Sequence, residues 1–182
     1  MLNRCWNQIQ KLYLKTVEQP RTLRRMKGAY ISSILFLCYG NICRSPLAEA
    51  IAAKVFVNVD IFSAGFHEEA GRCPPDYVIS EAQKNGIDLT AHRSKTVNQT
   101  MIYQAYLIAI MDLRNYNFLY AAFPDAVRKT IFLGTLSHQP KLEIRDPYNR
   151  PDLMPRTLNE IARGIDGIRR EFNVEVLSAL SE

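Results

Sequence analysis

A short apolar run, Ile34-Leu35-Phe36-Leu37, passes without a break into the loop Cys38-Tyr39-Gly40-Asn41-Ile42-Cys43-Arg44-Ser45 and then into a helix-forming stretch, Pro46–Phe56. No other segment restricts the possible folds as tightly. The run is apolar at every position, as in a strand buried on both faces, and Pro46 suits the first turn of a helix. A strand, a tight loop and a helix start gather successive backbone N–H groups around one point, a nest that suits a phosphate-like dianion. Gly40 tolerates positive φ, and Asn41 and Ser45 can brace the loop through side-chain hydrogen bonds. Cys38 opens the loop and Arg44 closes it. A helix N-terminus and a nearby cation favour the thiolate of such a cysteine, and the guanidinium fork matches two oxygens of a tetrahedral anion. The alternative, a buried structural cysteine ahead of an ordinary helix cap, leaves the loop's glycine, asparagine, arginine and serine unexplained. No Gly-x-x-x-x-Gly-Lys-Ser/Thr run is present, which excludes an ATP-binding P-loop.

Further apolar runs alternate with helical patterns. Strands are expected at Ser32–Leu37, Val57–Ser63, Tyr106–Met111 and Thr130–Leu133, and helices at Pro46–Phe56, Pro75–Asn85, Leu113–Ala121 and Arg156–Phe172. Gly86 fits a C-terminal cap. This alternation predicts an α/β fold: a single domain with a central four-stranded parallel sheet, helices on both faces and right-handed crossovers. Ligands of such sheets bind at the carboxyl ends of the strands, where the Cys38 loop lies. The chain has 182 residues, enough for one domain with a sizeable core.

A cup that holds a phosphate ester needs a proton donor for the leaving oxygen. Glu143-Ile144-Arg145-Asp146-Pro147-Tyr148 supplies one, because Pro147 stiffens the loop that carries Asp146, and Tyr148 offers an aromatic wall. Alone, Asp-Pro-Tyr reads as a surface turn.

Together, Cys38 to Ala50 (CYGNICRSPLAEA) and Asp146-Pro147-Tyr148 resemble the low-molecular-weight protein tyrosine phosphatases, whose pattern is Cys-x-x-x-x-x-Arg-Ser near the N-terminus and Asp-Pro-aromatic near the C-terminus. Ser63-Ala64-Gly65, the stretch Gly86 to Arg93 and Met111-Asp112 resemble the family more weakly, and the likeness spans roughly residues 33 to 172. The resemblance implies phosphotyrosine hydrolysis through a phosphocysteine on Cys38, with Arg44 on the equatorial oxygens and Asp146 as acid and then base. It places Tyr39, Gly40, Asn41, Ile42, Cys43, Ser45 and Tyr148 around the substrate, and Ser63 and His92 behind the loop. Asp112 reads as a structural carboxylate in a turn. In relatives acting on phosphoarginine a threonine stands where this chain has Ile42, so the resemblance favours phosphotyrosine, its ring held between Tyr39 and Tyr148. It also implies a reversible Cys38–Cys43 disulfide that guards the nucleophile. Neither a cofactor nor a metal is expected. Phe66 is the candidate for an aromatic that the family places after Ser-Ala-Gly, and Glu68 and Glu69 are expected near the mouth, repelling acidic peptides. Two rivals are weighed. An arsenate reductase shares the fold but needs two relay cysteines, and only Cys73 follows Cys43. A phosphotyrosine-binding adaptor without turnover would need neither Cys38 nor Asp146.

Residues 1–30 fall outside this pattern and form an extension to a phosphatase domain at 31–182. The extension holds seven basic residues against Glu18 alone, a charge of +6, which leaves −1 for the remainder of a chain of net +5. Leu2, Cys5, Trp6, Ile9, Leu12, Tyr13 and Val17 share one side of a helix that Pro20 is expected to end. Three readings are open: the apolar side docks on the domain or a partner protein, the helix lies on an acidic membrane surface, or the segment is an organelle transit sequence, despite having no serine before residue 32. Met26 is an alternative start that would give a family-like N-terminus. A nucleic-acid role lacks a motif. No apolar run reaches bilayer-spanning length. The four cysteines, Cys5, Cys38, Cys43 and Cys73, make no secreted disulfide framework, so a cytoplasmic location is expected.

Overall fold

A computed structural model describes residues 2–176, with side chains from Cys5 onward. The chain opens with helix α1 (Leu2–Tyr13), a π turn (Leu14–Glu18) and helix α2 (Gln19–Met26). There follow β1 (Ser33–Cys38), α3 (Arg44–Val55), β2 (Asp60–Gly65), α4 (Asp76–Lys84), α5 (Gln99–Gln104), β3 (Leu107–Ile110), α6 (Leu113–Ala122), β4 (Thr130–Phe132) and α7 (Met154–Glu171). The four strands are all parallel and lie in the order β2-β1-β3-β4.

Alternation along the strands builds a core on each face of this sheet. From β1, Ile34, Phe36 and Cys38 join a cluster with Leu47 and Ala48 of α3, Val78 of α4 and Ile161, Ile165 and Ile168 of α7. Leu35 and Leu37 enter the opposite cluster with Ile102 of α5 and Leu113 and Leu119 of α6. β3 divides in the same way, Leu107 and Ala109 to the first face, Ile108 and Ile110 to the second. A strand buried on both sides has no polar positions to spend, which is why β1 and β3 read as unbroken apolar runs.

The expected strands and helices all form, with ends shifted by a few residues. The largest shift is in β2, which starts at Asp60 and runs through to Gly65. Helix α3 begins at Arg44, two residues before Pro46, so the arginine belongs to the first helical turn. Helix α5 is an addition; it is short, and Asn98 caps it by accepting from the Met101 N–H at 2.9 Å.

The extension departs from expectation in two respects. Pro20 does not end the helix. The π turn before it widens the backbone spiral, with the Gln19 N–H bonded to the Leu14 carbonyl, and Pro20 sits in the first turn of α2, where its missing N–H costs nothing. Nor does the apolar side dock on the domain. The buried face is Leu14, Gln19, Thr22 and Met26, while Trp6, Ile9, Leu12 and Tyr13 are exposed. Gln19 explains this orientation. Its amide Nε2 donates to the Thr130 carbonyl at 3.3 Å and its Oε1 accepts from the Phe132 N–H at 2.8 Å. One side chain thus stands in for a neighbouring strand along β4, the sheet edge that would otherwise invite pairing with another chain.

Replacing Gln19 with Met should leave both of those backbone groups buried without partners, at a cost of about 2 kcal/mol. Chemical denaturation checks this: the midpoint should fall with the m-value unchanged, and a shift worth less than about 0.5 kcal/mol would remove Gln19 from edge protection.

Candidate active site

The loop after β1 sits where the carboxyl ends of β2, β1 and β3 meet, since Cys38 pairs in register with Gly65, and Leu37 with Ile110. Gly65 has to be glycine: a Cβ there would lie 2.7 Å from the Tyr39 carbonyl and 2.8 Å from the Asn41 nitrogen. That contact gives the Ser63-Ala64-Gly65 stretch its physical meaning, because the loop rests directly on the end of β2.

Asn41 holds the loop in shape. It is fully buried at a φ of +51°, the left-handed region that asparagine tolerates. Its Oδ1 accepts from the Lys95 N–H at 2.8 Å, and its Nδ2 donates to Ser45 Oγ at 2.9 Å and to Ser63 Oγ at 2.7 Å. Ser63 in turn donates to the Glu49 carboxylate. The Asn41 carbonyl lies 2.8 Å from His92 Nε2, which acts as the donor. Burial, partly opposed by that bond, pushes the His92 imidazole below its ordinary range. Ser63 and His92 therefore stand behind the loop.

Inside the cup, Cys38 Sγ lies 3.0 Å from Ser45 Oγ and accepts from the Asn41 N–H at 3.3 Å. The N–H groups of Gly40, Ile42 and Cys43 have no acceptor among the described residues. Burial, reinforced by Cys38 and Asp146 nearby, pushes the Cys43 thiol well up, so it stays protonated. No disulfide joins Cys38 to Cys43 in this structure.

Arg44 is 1% exposed and its guanidinium is turned toward carboxylates. Nη1 bonds Asp112 Oδ2 at 2.5 Å and the Ile144 carbonyl at 3.0 Å, and Nη2 bonds Asp146 Oδ2 at 2.7 Å. Its Nε is buried with no partner among the described residues. Burial alone would loosen its proton, but Asp112, Cys38 and Asp146 more than offset that and hold the group above the usual guanidinium range. Asp112 thus has a larger part than its turn position suggested. It caps α6 by accepting from the Asn115 N–H at 2.8 Å and also orients Arg44.

The Asp146 loop is pinned by a residue that the sequence did not single out. Tyr77 of α4 donates its hydroxyl to the Pro147 carbonyl at 3.1 Å and accepts from the Asn149 N–H at 3.1 Å. Burial, with Cys43 close by, raises the Tyr77 phenol. A tyrosine at an exposed-looking helix start carries no local signal for such a contact.

A cleft of about 240 Å³ opens above Cys38, with Tyr39, Ile42, His67, Arg72, Arg114 and Tyr148 on its walls. The Arg114 guanidinium lies 3.7 Å over the Tyr39 ring. Phe66 stacks on Phe118 at 5.5 Å, and the Tyr39 ring is also 5.5 Å from Phe118. Arg72 Nη2 donates to the Gly40 carbonyl at 2.7 Å and its Nε to the Glu69 carbonyl at 3.1 Å, tying the loop after β2 to the cup. That loop turns His67 and Arg72 toward the cleft, and Glu68 and Glu69 are exposed outside its lining. The expected acidic rim is therefore corrected to a basic one, Arg72 and Arg114. Cys73 is exposed and outside the lining.

His92 sets a pH dependence. Its folded-state pKa lies below the unfolded value of about 6.5, so its contribution to stability is complete above that pH and is lost as pH falls toward the folded value. The stability difference between the wild type and His92→Gln, followed by thermal melts from about pH 7.5 to 5, should shrink on acidification. A difference that does not change with pH would refute the coupling.

The comparisons with known proteins converge on this geometry. A family model described as low molecular weight phosphotyrosine protein phosphatase matches residues 33–176. A probable low molecular weight protein-tyrosine-phosphatase, EpsP, from Ralstonia nicotianae is 29% identical over 137 residues, covering 75% of this chain and 92% of that protein. Among solved structures, the YwlE arginine phosphatase from Geobacillus stearothermophilus superposes with a TM-score of 0.70 at 27% identity, covering 76% of this chain and 91% of that one. Wzb from Vibrio vulnificus, solved with benzylphosphonate, also gives 0.70 at 27% identity, covering 77% and 98%. The match begins at the first residue of β1 and takes in the cup, the carboxylate facing it and the sheet that brings them together, so the chain belongs to the low-molecular-weight phosphotyrosine protein phosphatase family.

Proposed function

We propose that this cleft hydrolyses phosphotyrosine in proteins through a phosphocysteine on Cys38. The observation that carries the reading is the meeting of three groups in one buried cup. Cys38 Sγ receives an N–H from the loop, Arg44 Nη2 is 2.7 Å from Asp146, and Arg44 Nε is left over. A tetrahedral dianion entering the cup meets the N–H groups of Gly40, Ile42 and Cys43 and the Arg44 fork, while Ser45 and Asn41 keep the loop in place. The thiolate attacks phosphorus, the S–P bond forms as the P–O bond breaks, and Asp146 gives its proton to the leaving oxygen. The resulting carboxylate then takes a proton from water, which attacks phosphorus and releases phosphate and the thiolate. The dianion displaces Asp146 from Arg44 Nη2, and the freed carboxylate takes up a proton from solvent before it turns toward the leaving group.

Buried Ile42 and the rings of Tyr39 and Tyr148 give the mouth apolar walls suited to an aryl ester. The structural likeness to an arginine phosphatase keeps phosphoarginine as a second reading. We place the enzyme in the cytoplasm. No disulfide occurs among the described residues, and the chemistry needs reduced Cys38. In the same proposal residues 31–182 are the phosphatase domain, and residues 1–30 are an extension that takes no part in the chemistry.

Cys38→Ser should lower turnover of an aryl phosphate by about a thousandfold or more while the cup still binds oxyanions. Undiminished turnover would refute the nucleophile. Asp146→Ala should slow esters of poor leaving groups by about a hundredfold or more and esters of good ones far less; equal losses would refute the acid. Phosphate release from phosphotyrosine, phosphoarginine and phosphoserine peptides decides the substrate.

A further inference from the structure

The N-terminal rod has an outward face that the domain does not use. Its inner side is spoken for: Gln10 bonds Asn117, Lys11 pairs with Glu143, and Leu14, Gln19, Thr22 and Met26 are buried. The opposite side of α1 exposes Trp6 by 68%, Ile9 by 56%, Leu12 by 64% and Tyr13 by 48%. Single exposed apolar residues are ordinary, but four on consecutive turns of one helix face make a patch. Farther along the rod most of the exposed residues are cations. Lys15, Arg21, Arg24, Arg25 and Lys27 are all exposed, and none has a carboxylate partner within 4.0 Å among the described residues. Arg24 and Arg25 bond only neighbouring groups of their own helix, the Pro20 carbonyl and the Thr22 hydroxyl.

We propose that this face docks the enzyme on an anionic membrane surface, with α1 lying in the plane of the interface. The two halves of the face match the two layers of such a surface. Trp6 and Tyr13 are ring systems with a polar edge that settle at headgroup depth, and Ile9 and Leu12 reach the acyl boundary below. The free cations of the π turn and α2 meet the lipid phosphates. Charge also decides against a second copy of the chain as occupant. The extension carries +6, and two such faces pressed together would bring like charges side by side with no acidic patch between them. No helix among the described residues is long and apolar enough to cross a bilayer, so the contact is peripheral.

The position of α1 links this surface to the site. Asn7 and Lys11 share a groove with Arg114 and Phe118 of α6, and Arg114 also lines the catalytic cleft. Docking through α1 therefore holds the element next to the cleft at the lipid surface, which brings the enzyme close to phosphotyrosine on a membrane-anchored protein. Only this last consequence rests on the phosphatase reading.

Trp6 is the only tryptophan in the chain, so tryptophan fluorescence, excited selectively, reports on this face alone. The full-length protein is mixed with phosphatidylcholine vesicles with and without phosphatidylglycerol, at low and high salt. With phosphatidylglycerol, emission should shift to the blue, iodide quenching should fall, and the protein should float with the vesicles, all reversed by salt. The pair Ile9→Gln with Leu12→Gln and the triple Arg21→Gln, Arg24→Gln, Arg25→Gln should each weaken binding about tenfold or more. These residues are exposed, so melting temperature and turnover of a small soluble aryl phosphate should stay at the wild-type level. An unchanged Trp6 spectrum with anionic vesicles would overturn the proposal, as would equal binding to neutral and anionic vesicles. A lipid-independent, concentration-dependent blue shift would assign the face to a second copy and overturn it too. Loss of aryl-phosphate turnover in the wild type with vesicle binding intact would instead count against the phosphatase reading.

Discussion

The site depends on one buried amide. Asn41 occupies a backbone conformation that turns the chain sharply after β1, and every polar atom of its side chain is used to hold it there. A nest of N–H groups is an unfavourable arrangement by itself, because like dipoles converge and the donors go without protein acceptors. The bonds from Asn41 to Ser45, Ser63 and Lys95, with His92 on its carbonyl, offset that cost by joining α3, β2 and the segment after α4 to the same side chain. Gly65 completes the arrangement by letting the loop lie directly on β2. In the proposed function an entering dianion finds these donors already aimed.

Arg44 extends the same logic to electrostatics. A guanidinium this deeply buried is tolerable only with carboxylates beside it, and Asp112 and Asp146 provide them. The two partners are not equivalent. Asp112 is anchored as the cap of α6 and stays in place, whereas Asp146 sits on a partly exposed loop and holds the arginine by one oxygen. In the proposed mechanism one carboxylate positions the cation, and the other exchanges it for substrate. Tyr77 limits how far the second can move, because its hydroxyl ties both sides of the turn that carries Asp146.

The N-terminal rod shows edge protection and surface chemistry combined in one element. Strand β4 is short and lies at the sheet edge, and Gln19 supplies its missing partner from a helix. Binding through that amide sets the rotation of the whole rod. Leu14, Gln19, Thr22 and Met26 face in, and Trp6, Ile9, Leu12 and Tyr13 of α1 face out.

What the sequence determined by itself was local. Continuous apolar runs marked β1 and β3, because strands buried on both faces admit nothing else. The strand–loop–helix passage marked the cup, because Cys38, Asn41 and Arg44 each carry their reason in their own chemistry; the positive φ expected of Gly40 falls instead on Asn41. Asp146 was legible through Pro147. The contacts that only the tertiary structure decided span dozens of residues or more: Asp112 and Asp146 on Arg44, Tyr77 on the Pro147 loop, Arg72 on Gly40, Arg114 over Tyr39, and Gln19 on β4. None of these has a periodicity or a neighbour in the chain to announce it. The rotation of the N-terminal helix belongs with them. Hydrophobic periodicity says that a helix has two unlike faces, but which face turns inward depends on what the sheet edge lacks, and that edge exists only once the strands have been assembled.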